Sequence, residues 1–413
     1  MRCRRRPLWQ YLSLMMNKFF VDDTVNEDCK RQALGIYLHF PFCRRKCDYC
    51  DFYSVVPSKP WQIEEYVRAL IGNVSEICSA DVEDYLVDSI FFGGGTPSLL
   101  SPGQMNRIIV ALSQKFRLSG DCEITLESNP ATLTPDSLCQ YRRAGVNRLS
   151  IGLQSANEGE LCELSRIHTP KDFLLAFHQA REAGFDNINI DLMYGIPGQT
   201  FDSFMRSLDF AVGLNPEHLS VYGLRIEAGT PLGARDPSTY VLPSEEVECR
   251  MYLACVDSLK KLGYNHYEIS NFSKPGRECR HNSKYWNCEP YIGLGTSAHS
   301  YFNNVRYSYV SDIEVYCAGI LSGLPHSELM AEYSEITPDD REREYIMLRL
   351  RLSEGICVRR FAKLFGRDFE RIYAPRLAPY IKEGLVYLSG SRYALTPDGM
   401  LVSNSILCDL IDF

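Results

Sequence analysis

The sequence predicts an α/β chain: an incomplete barrel of the (β/α)6 type followed by a winged-helix-like C-terminal module. Two patterns carry that prediction. Between residues 35 and 224, six β-branched or aromatic runs alternate with segments whose apolar residues lie three and four apart. Between Pro338 and Pro397, three helical segments precede two short strands. The bulk numbers agree, since 413 residues suffice for one large domain and a smaller one, and 25 Tyr with 20 Phe belong to a folded chain. The resulting division is a flexible tail at 1–34, a barrel at 35–235, a connecting region at 236–325 and the winged-helix-like domain at 326–413.

The tail begins with Arg2, Arg4, Arg5 and Arg6 ahead of an apolar stretch, which raises the question of a targeting peptide. Gln10, Tyr11 and Ser13 interrupt that stretch, no small-residue cleavage site follows, and it is far short of the roughly 20 apolar residues of a membrane span. We read it as a tail, or as a start assigned upstream of Met15 or Met16. The 16 cysteines are mostly scattered singly in a long chain, so they indicate a reducing, cytoplasmic setting rather than a disulfide scaffold. With 52 acidic against 44 basic residues the net charge is -8, which argues against a general nucleic-acid or anionic-membrane binder.

In order, the expected strands are 36–40, 89–92, 123–127, 148–154, 187–193 and 218–224. The helices between them span 61–78, 104–116, 135–144, 171–183 and 201–214. Repeated βα units imply a parallel sheet under helices, and six units suit a barrel; a doubly wound sheet is the alternative. Gly229, Pro231, Gly233, Pro237 and Pro243 then end the rhythm, and a helix at 244–262 opens the connecting region. Within that region the stretch 291–301, YIGLGTSAHSY, reads as a loop passing close to a ligand or to the barrel mouth. The closing strands are expected at 385–388 and 393–395, and the acidic chain favours a structural cap over a DNA-binding role for this module.

The first strand runs into IYLHFPFCRRKCDYCDF, where Cys43, Cys47 and Cys50 are spaced C-x3-C-x2-C. Thiolates this close in one loop can wrap a compact centre of soft metal. Structural zinc wants four ligands, and no fourth Cys or His stands at a matching distance downstream. The residues alone leave three readings open: structural cysteines near a turn, zinc, or an iron–sulfur cubane with one open iron. One unit later Phe92–Ser98 reads FGGGTPS, three glycines that let backbone approach a ligand closely.

C-x3-C-x2-C after the first strand of a βα barrel resembles the signature of the radical SAM superfamily. That resemblance implies a 4Fe–4S cluster on Cys43, Cys47 and Cys50 that binds S-adenosylmethionine (SAM), with Gly94, Gly95 and Thr96 meeting its methionyl amino group. The run from YLHFPFC through GGGTPS, ESNP, LSIGLQS and DLMYGIPGQT resembles the family that unites oxygen-independent coproporphyrinogen III oxidase with the HemW haem chaperones. It covers roughly residues 35–400 and implies SAM contacts from Tyr37, Glu127, Gln154, Arg166 and Asp191; of these Gln154, Arg166 and Asp191 also match positions around a second SAM in the oxidases.

Two features divide the family. The oxidase pattern continues as C-x3-C-x2-C-x-C, whereas Phe52 stands at the last position here, in the form found in the chaperones. Residues 281–286 read HNSKYW, similar to the HNxxYW motif associated with haem binding, so His281, Asn282, Tyr285 and Trp286 become candidate haem contacts, with the imidazole as iron ligand and the rings against the porphyrin. The implied function is a haem chaperone that passes haem to an acceptor protein and draws on an electron donor. The alternative is oxidative decarboxylation of coproporphyrinogen III to protoporphyrinogen IX.

Overall fold

A computed structural model describes residues 31–411; the expected tail therefore lies outside the described residues except for its end, where 32–34 already belong to the first strand. Six strands form the barrel wall: β1 (Gln32–Phe40), β2 (Tyr85–Gly94), β3 (Leu118–Ser128), β4 (Arg148–Gln154), β5 (Ile188–Tyr194) and β6 (His218–Gly223). They are parallel and follow one another across the sheet in chain order. A doubly wound sheet reverses its order at a switch point, and this one does not. The barrel reading holds and its alternative falls.

The strands alternate with a period of two. Leu34, Ile36, Leu38 and Phe40 of β1, like Ile188, Ile190 and Leu192 of β5, are at most 1% exposed and lie in the core under the helices. The intervening positions, such as Glu123 and Glu127, Arg148 and Ser150, Asn189 and Asp191, face the lumen with polar side chains. The covering helices are α1 (Gln62–Glu76), α2 (Pro102–Lys115), α3 (Pro135–Ala144), α4 (Pro170–Glu182) and α5 (Phe201–Gly213). Ser101, Thr134 and Thr169 close capping boxes with Gln104, Ser137 and Asp172, and each box is followed by proline at the first helical position. The caps place the starts of α2 and α4 two residues and one residue before those expected from apolar spacing alone.

The region 236–325, expected to connect two domains, instead widens the sheet. After α6 (Glu245–Lys261), β7 (Asn265–Glu268) and β8 (Asn271–Ser273) add antiparallel strands beyond β6. Helix α7 (Arg280–Asn287) follows; β9 (Tyr291–Leu294) then pairs parallel to β1, and β10 (His299–Phe302) and β11 (Val305–Tyr309) extend that side. The stretch 291–301 is thus two strands and their turn rather than a loop. After α8 (Ile313–Ser322), β12 (Met330–Glu335) completes a 12-stranded sheet, so the large sheet reaches past the expected boundary at 326.

The C-terminal module contains α9 (Pro338–Arg349), β13 (Ile356–Cys357), α10 (Val358–Phe365), α11 (Phe369–Lys382), β14 (Val386–Ser389), β15 (Arg392–Leu395), α12 (Pro397–Leu401) and α13 (Ser403–Leu410). Its three-stranded sheet has the order β13-β15-β14. The expected wing is present within one residue; β13, two residues long, and the two last helices carry no sequence pattern that announces them. Arg349, 2% exposed, holds the module to the barrel: its guanidinium donates to Asn287 Oδ1 at the end of α7, to Glu354 Oε2 at 2.8 Å and to the Gly355 carbonyl at 3.0 Å.

Asn73 ties the other side together in the same manner. Fully buried in α1, it donates to the Tyr309 hydroxyl at 2.9 Å and accepts from Tyr316 at 2.9 Å and Gly295 N at 3.3 Å. Asn73→Leu would strand these groups without solvent, so we expect a loss of about 2–4 kcal/mol in urea unfolding, against roughly 0.5 kcal/mol or less for Lys261→Ala on the surface.

Candidate functional site

The strands end on one rim, and the segments leaving that rim enclose a cavity of about 370 Å³. Cys43, Cys47 and Cys50 line it together with Gly94, Gly95 and Thr96 from β2, Glu127 from β3, Gln154 from β4, Asp191 from β5 and Arg166 from the loop beyond β4. Residues as distant in the chain as Cys43 and Tyr222 thus meet in one chamber.

The cysteine loop is held by backbone bonds. Cys43 N donates to Val55 O at 2.9 Å, Val55 N to Pro41 O at 2.7 Å and Cys50 N to Cys47 O at 3.2 Å. His39 reinforces it with Nε2 on the Tyr53 carbonyl at 2.9 Å and Nδ1 on the Tyr37 hydroxyl at 3.1 Å; burial lowers its pKa to about 4, so the ring is neutral. The glycine triplet serves this loop as well as a ligand. Gly95 N and Thr96 N donate to Phe40 O and Phe42 O at 2.8 Å, and a Cβ on Gly95 would stand 2.7 Å from Phe42 O and 2.8 Å from Phe40 O. No other residue fits there without displacing the cysteines.

The sulfurs sit in an environment suited to thiolates. Thr96 Oγ1 donates to Cys43 Sγ at 3.4 Å and Arg166 Nη1 to Cys47 Sγ at 3.5 Å. Burial holds the Cys43 thiol up and pushes Cys50 up to about 11, with the neighbouring cysteines adding to both, so three thiolates together need a cationic centre between them. Among the described residues, no three His, Cys, Asp or Glu side chains are grouped to hold a single ion. Three thiolates with no fourth Cys or His in the lining among the described residues suit a cluster with one open iron better than structural zinc, which takes four protein ligands.

Two half-buried carboxylates line the same chamber. Glu127 accepts from Gly94 N at 3.2 Å, and its pKa is pushed up to about 8, by burial first and by the Asp191 charge second. Asp191 accepts from Asn189 Nδ2 at 2.7 Å and Ser150 Oγ at 3.1 Å, and burial holds it above the ordinary carboxylate range. Gln154 ends β4 at a bulge with φ of 66°, a left-handed conformation rare outside glycine that turns its amide into the chamber. Arg166 turns inward from the loop beyond β4 and also donates to the Gly152 carbonyl at 3.1 Å. Deeper in the lumen Arg148 is 2% exposed; burial opposes its charge, while Cys279, Glu123, Tyr267 and Asp191 favour it.

Tyr37 falls outside the lining; its ring packs on Phe91 and His281, with centroids 6.2 Å away in both cases. The HNSKYW set is not gathered in this chamber. His281 is completely buried against the middle of β1 and β2, with Nδ1 on Ser89 Oγ at 3.2 Å and Nε2 on the Tyr285 hydroxyl at 2.8 Å, and burial lowers its pKa to about 3. Both ring nitrogens are engaged, so ligation of iron by His281 requires the barrel floor to open. Beside it Lys284 pairs with Asp88 at 2.8 Å, and Asn282 is half-buried on the same helix. Trp286, five residues after His281 and so about 140° round the helix, faces a different cavity. Motif spacing misses Ser150, Met193 and Tyr222, which also line the chamber; the period of two along β4, β5 and β6 could have found them.

Residues 37–211 match the radical SAM superfamily, and residues 336–402 match the HemN C-terminal domain. The heme chaperone HemW of Bacillus subtilis strain 168 is 35% identical over 378 residues, covering 90% of this chain and 97% of that one. Its namesake in Escherichia coli K12 is 34% identical over 379 residues, covering 92% and 98%. Among solved structures, coproporphyrinogen III oxidase (HemN) from Escherichia coli superposes with a TM-score of 0.80 at 23% identity, over 97% of this chain and 98% of that one, a likeness of fold.

A ligand that brings an ammonium group to Glu127 favours its ionised form, so binding expels a proton where the free carboxyl is protonated. With a free pKa of about 8, SAM affinity of the cluster-loaded protein should therefore rise with pH between 6.5 and 8, by up to about tenfold per unit, and level off above. Calorimetric titration checks this; Glu127→Gln should flatten the profile, and a flat profile in the unaltered protein would refute the assignment.

Proposed function

The chain belongs to the HemW family of the radical SAM superfamily, and on that premise we propose that it is a haem chaperone, which binds a 4Fe–4S cluster, SAM and haem and hands the haem to an acceptor protein. The observation that carries the reading is the similarity to HemW proteins along nine-tenths of the chain. Phe52 supports it: the residue is 65% exposed at the chamber wall, where the oxidase pattern places a fourth cysteine.

Membership of the superfamily implies the cluster and SAM. When bound, such a cluster supplies one-electron chemistry and an open iron for the amino and carboxylate groups of SAM. The protein's own share is positional. Cys43, Cys47 and Cys50 hold the metal centre, with Thr96 and Arg166 donating to two of the sulfurs. Glu127 and Asp191 would offer carboxylates to the ammonium and sulfonium of SAM, and Gln154 and Arg166 line the same chamber. An electron donor would reduce the cluster, and in the chaperone the cluster and SAM would signal a state rather than drive turnover. Among the described residues, no helix is long and apolar enough to cross a membrane. The 14 free cysteines among them suit a reducing, cytoplasmic setting.

Reconstitution without oxygen, followed by haemin and coproporphyrinogen III offered separately, tests the reading. We expect a brown cluster chromophore, haem binding and unchanged coproporphyrinogen. Conversion of coproporphyrinogen to protoporphyrinogen would establish the oxidase instead, and a colourless protein holding zinc would overturn the cluster. Alanine at Cys43, Cys47 or Cys50 should abolish the chromophore while leaving the far-ultraviolet spectrum intact.

A further inference from the structure

A second cavity, of about 450 Å³, lies beside the first and shares Tyr222 with it. It opens between the ends of β5 and β6, helix α7 and the last helices of the C-terminal module. Its walls are aromatic: Tyr194 and Tyr222 from the strand ends, Tyr252 from α6 and Trp286 from α7. Tyr194 and Tyr252 lie 6.3 Å apart, and the Tyr252 hydroxyl is spent on the Ile269 carbonyl at 3.1 Å and the Met400 sulfur at 3.4 Å, so the wall presents ring rather than hydroxyl. Tyr222 is 39% exposed, high for a residue on a barrel strand, because its ring stands between two open spaces.

The polar part of this cleft is two arginines. Arg225, in the loop after β6, makes no hydrogen bond or ion pair with any of the described residues. Arg351 donates to Asn404 Oδ1 at 3.0 Å, and no carboxylate among the described residues pairs with it. Burial, and after it the Arg225 charge, holds Arg351 below the ordinary guanidinium range. Glu268, completely buried, takes the Ser270 amide, and Glu248 acts on Tyr194; neither forms an ion pair with Arg225 or Arg351 among the described residues. Two cations that repel each other beside flat apolar walls call for a flat apolar ligand with two negative groups.

We propose that this cleft is the haem site, with the porphyrin plane against Trp286 and Tyr222 and its two propionates on Arg225 and Arg351. The assignment rests on the reading of the chain as a haem carrier, and it leaves His281 with a structural role, since together with Tyr285 it fixes the helix that presents Trp286. A porphyrin here lies on the far side of Tyr222 from the cysteines, at a seam of the molecule where an acceptor has access.

The test uses the full chain with its cluster reconstituted, titrated by absorbance with haemin and by fluorescence with protoporphyrin IX and its dimethyl ester. The unaltered protein should bind haemin, and bind the diacid ten- to a hundredfold more tightly than the ester, as expected for charge-assisted bonds. Arg225→Gln with Arg351→Gln should weaken haemin by a similar factor and erase the preference for the diacid. Arg225→Gln alone, at a residue without partners among those described, should show about half of that effect on a logarithmic scale and keeps the test decisive if the double variant misfolds. Wild-type haemin affinity in an arginine variant that retains its cluster spectrum would overturn the cleft and leave the carrier intact. Failure of the unaltered protein to bind haemin would overturn the carrier itself.

Discussion

A single guanidinium inside the barrel sets the terms for the rest of the molecule. Arg148 is buried beneath the rim, and Glu123 and Asp191 both contribute to holding its charge there. An unpaired charge at that depth would be ruinous, so the lumen has to remain polar and completely arranged. Asn189 takes the hydrogen bonds of His218 Nδ1 at 2.6 Å and Ser220 Oγ at 3.1 Å while donating to Asp191, and Tyr267 closes the chain on His218 Nε2 at 2.8 Å. Glu123 continues the network downward to the Arg280 amide at 3.0 Å, which begins α7. Asp191 at the rim and Glu123 at the start of the helix that bears Trp286 thus both act on the Arg148 charge.

That arrangement explains what can be read in advance. Six strands and their helices are legible because each strand carries an apolar face under a helix, and the cysteines, glycines, Glu127, Gln154, Arg166 and Asp191 are legible because family motifs mark them. The chamber gathers all of these. Tyr37 and His281 are harder, since an aromatic ring that plugs a barrel and one that meets a ligand leave the same letter in the sequence. Strands β7 to β12 escape for a different reason: they are three to six residues long and are held in the sheet beyond β1 and β6 by pairing, a long-range effect that local pattern does not record. Tyr222 carries no motif, and only the period of two along β6, which puts it on the face of His218 and Ser220, marks it as inward-facing.

The glycine triplet shows how a motif can be right for more than one reason. Its close approach is made to the cysteine loop, where Gly95 allows two backbones to come together, and Gly94 offers its amide to Glu127. The cysteine loop and the Glu127 carboxylate are thus fastened to adjacent residues of one strand end. Mutational loss at this segment would remove both supports together, which is why such a short run carries so much of the recognisable signature.

Tyr222 forms one wall of both cavities, so neither cavity has a shape of its own. Any occupant that turns the ring alters the room left for the other, and the resulting change in affinity must be equal in both directions, because a thermodynamic cycle through the doubly occupied state has to close. With SAM in the first cavity and the proposed cargo in the second, the two would sense each other without a moving domain; the angle of one phenol would be a sufficient messenger.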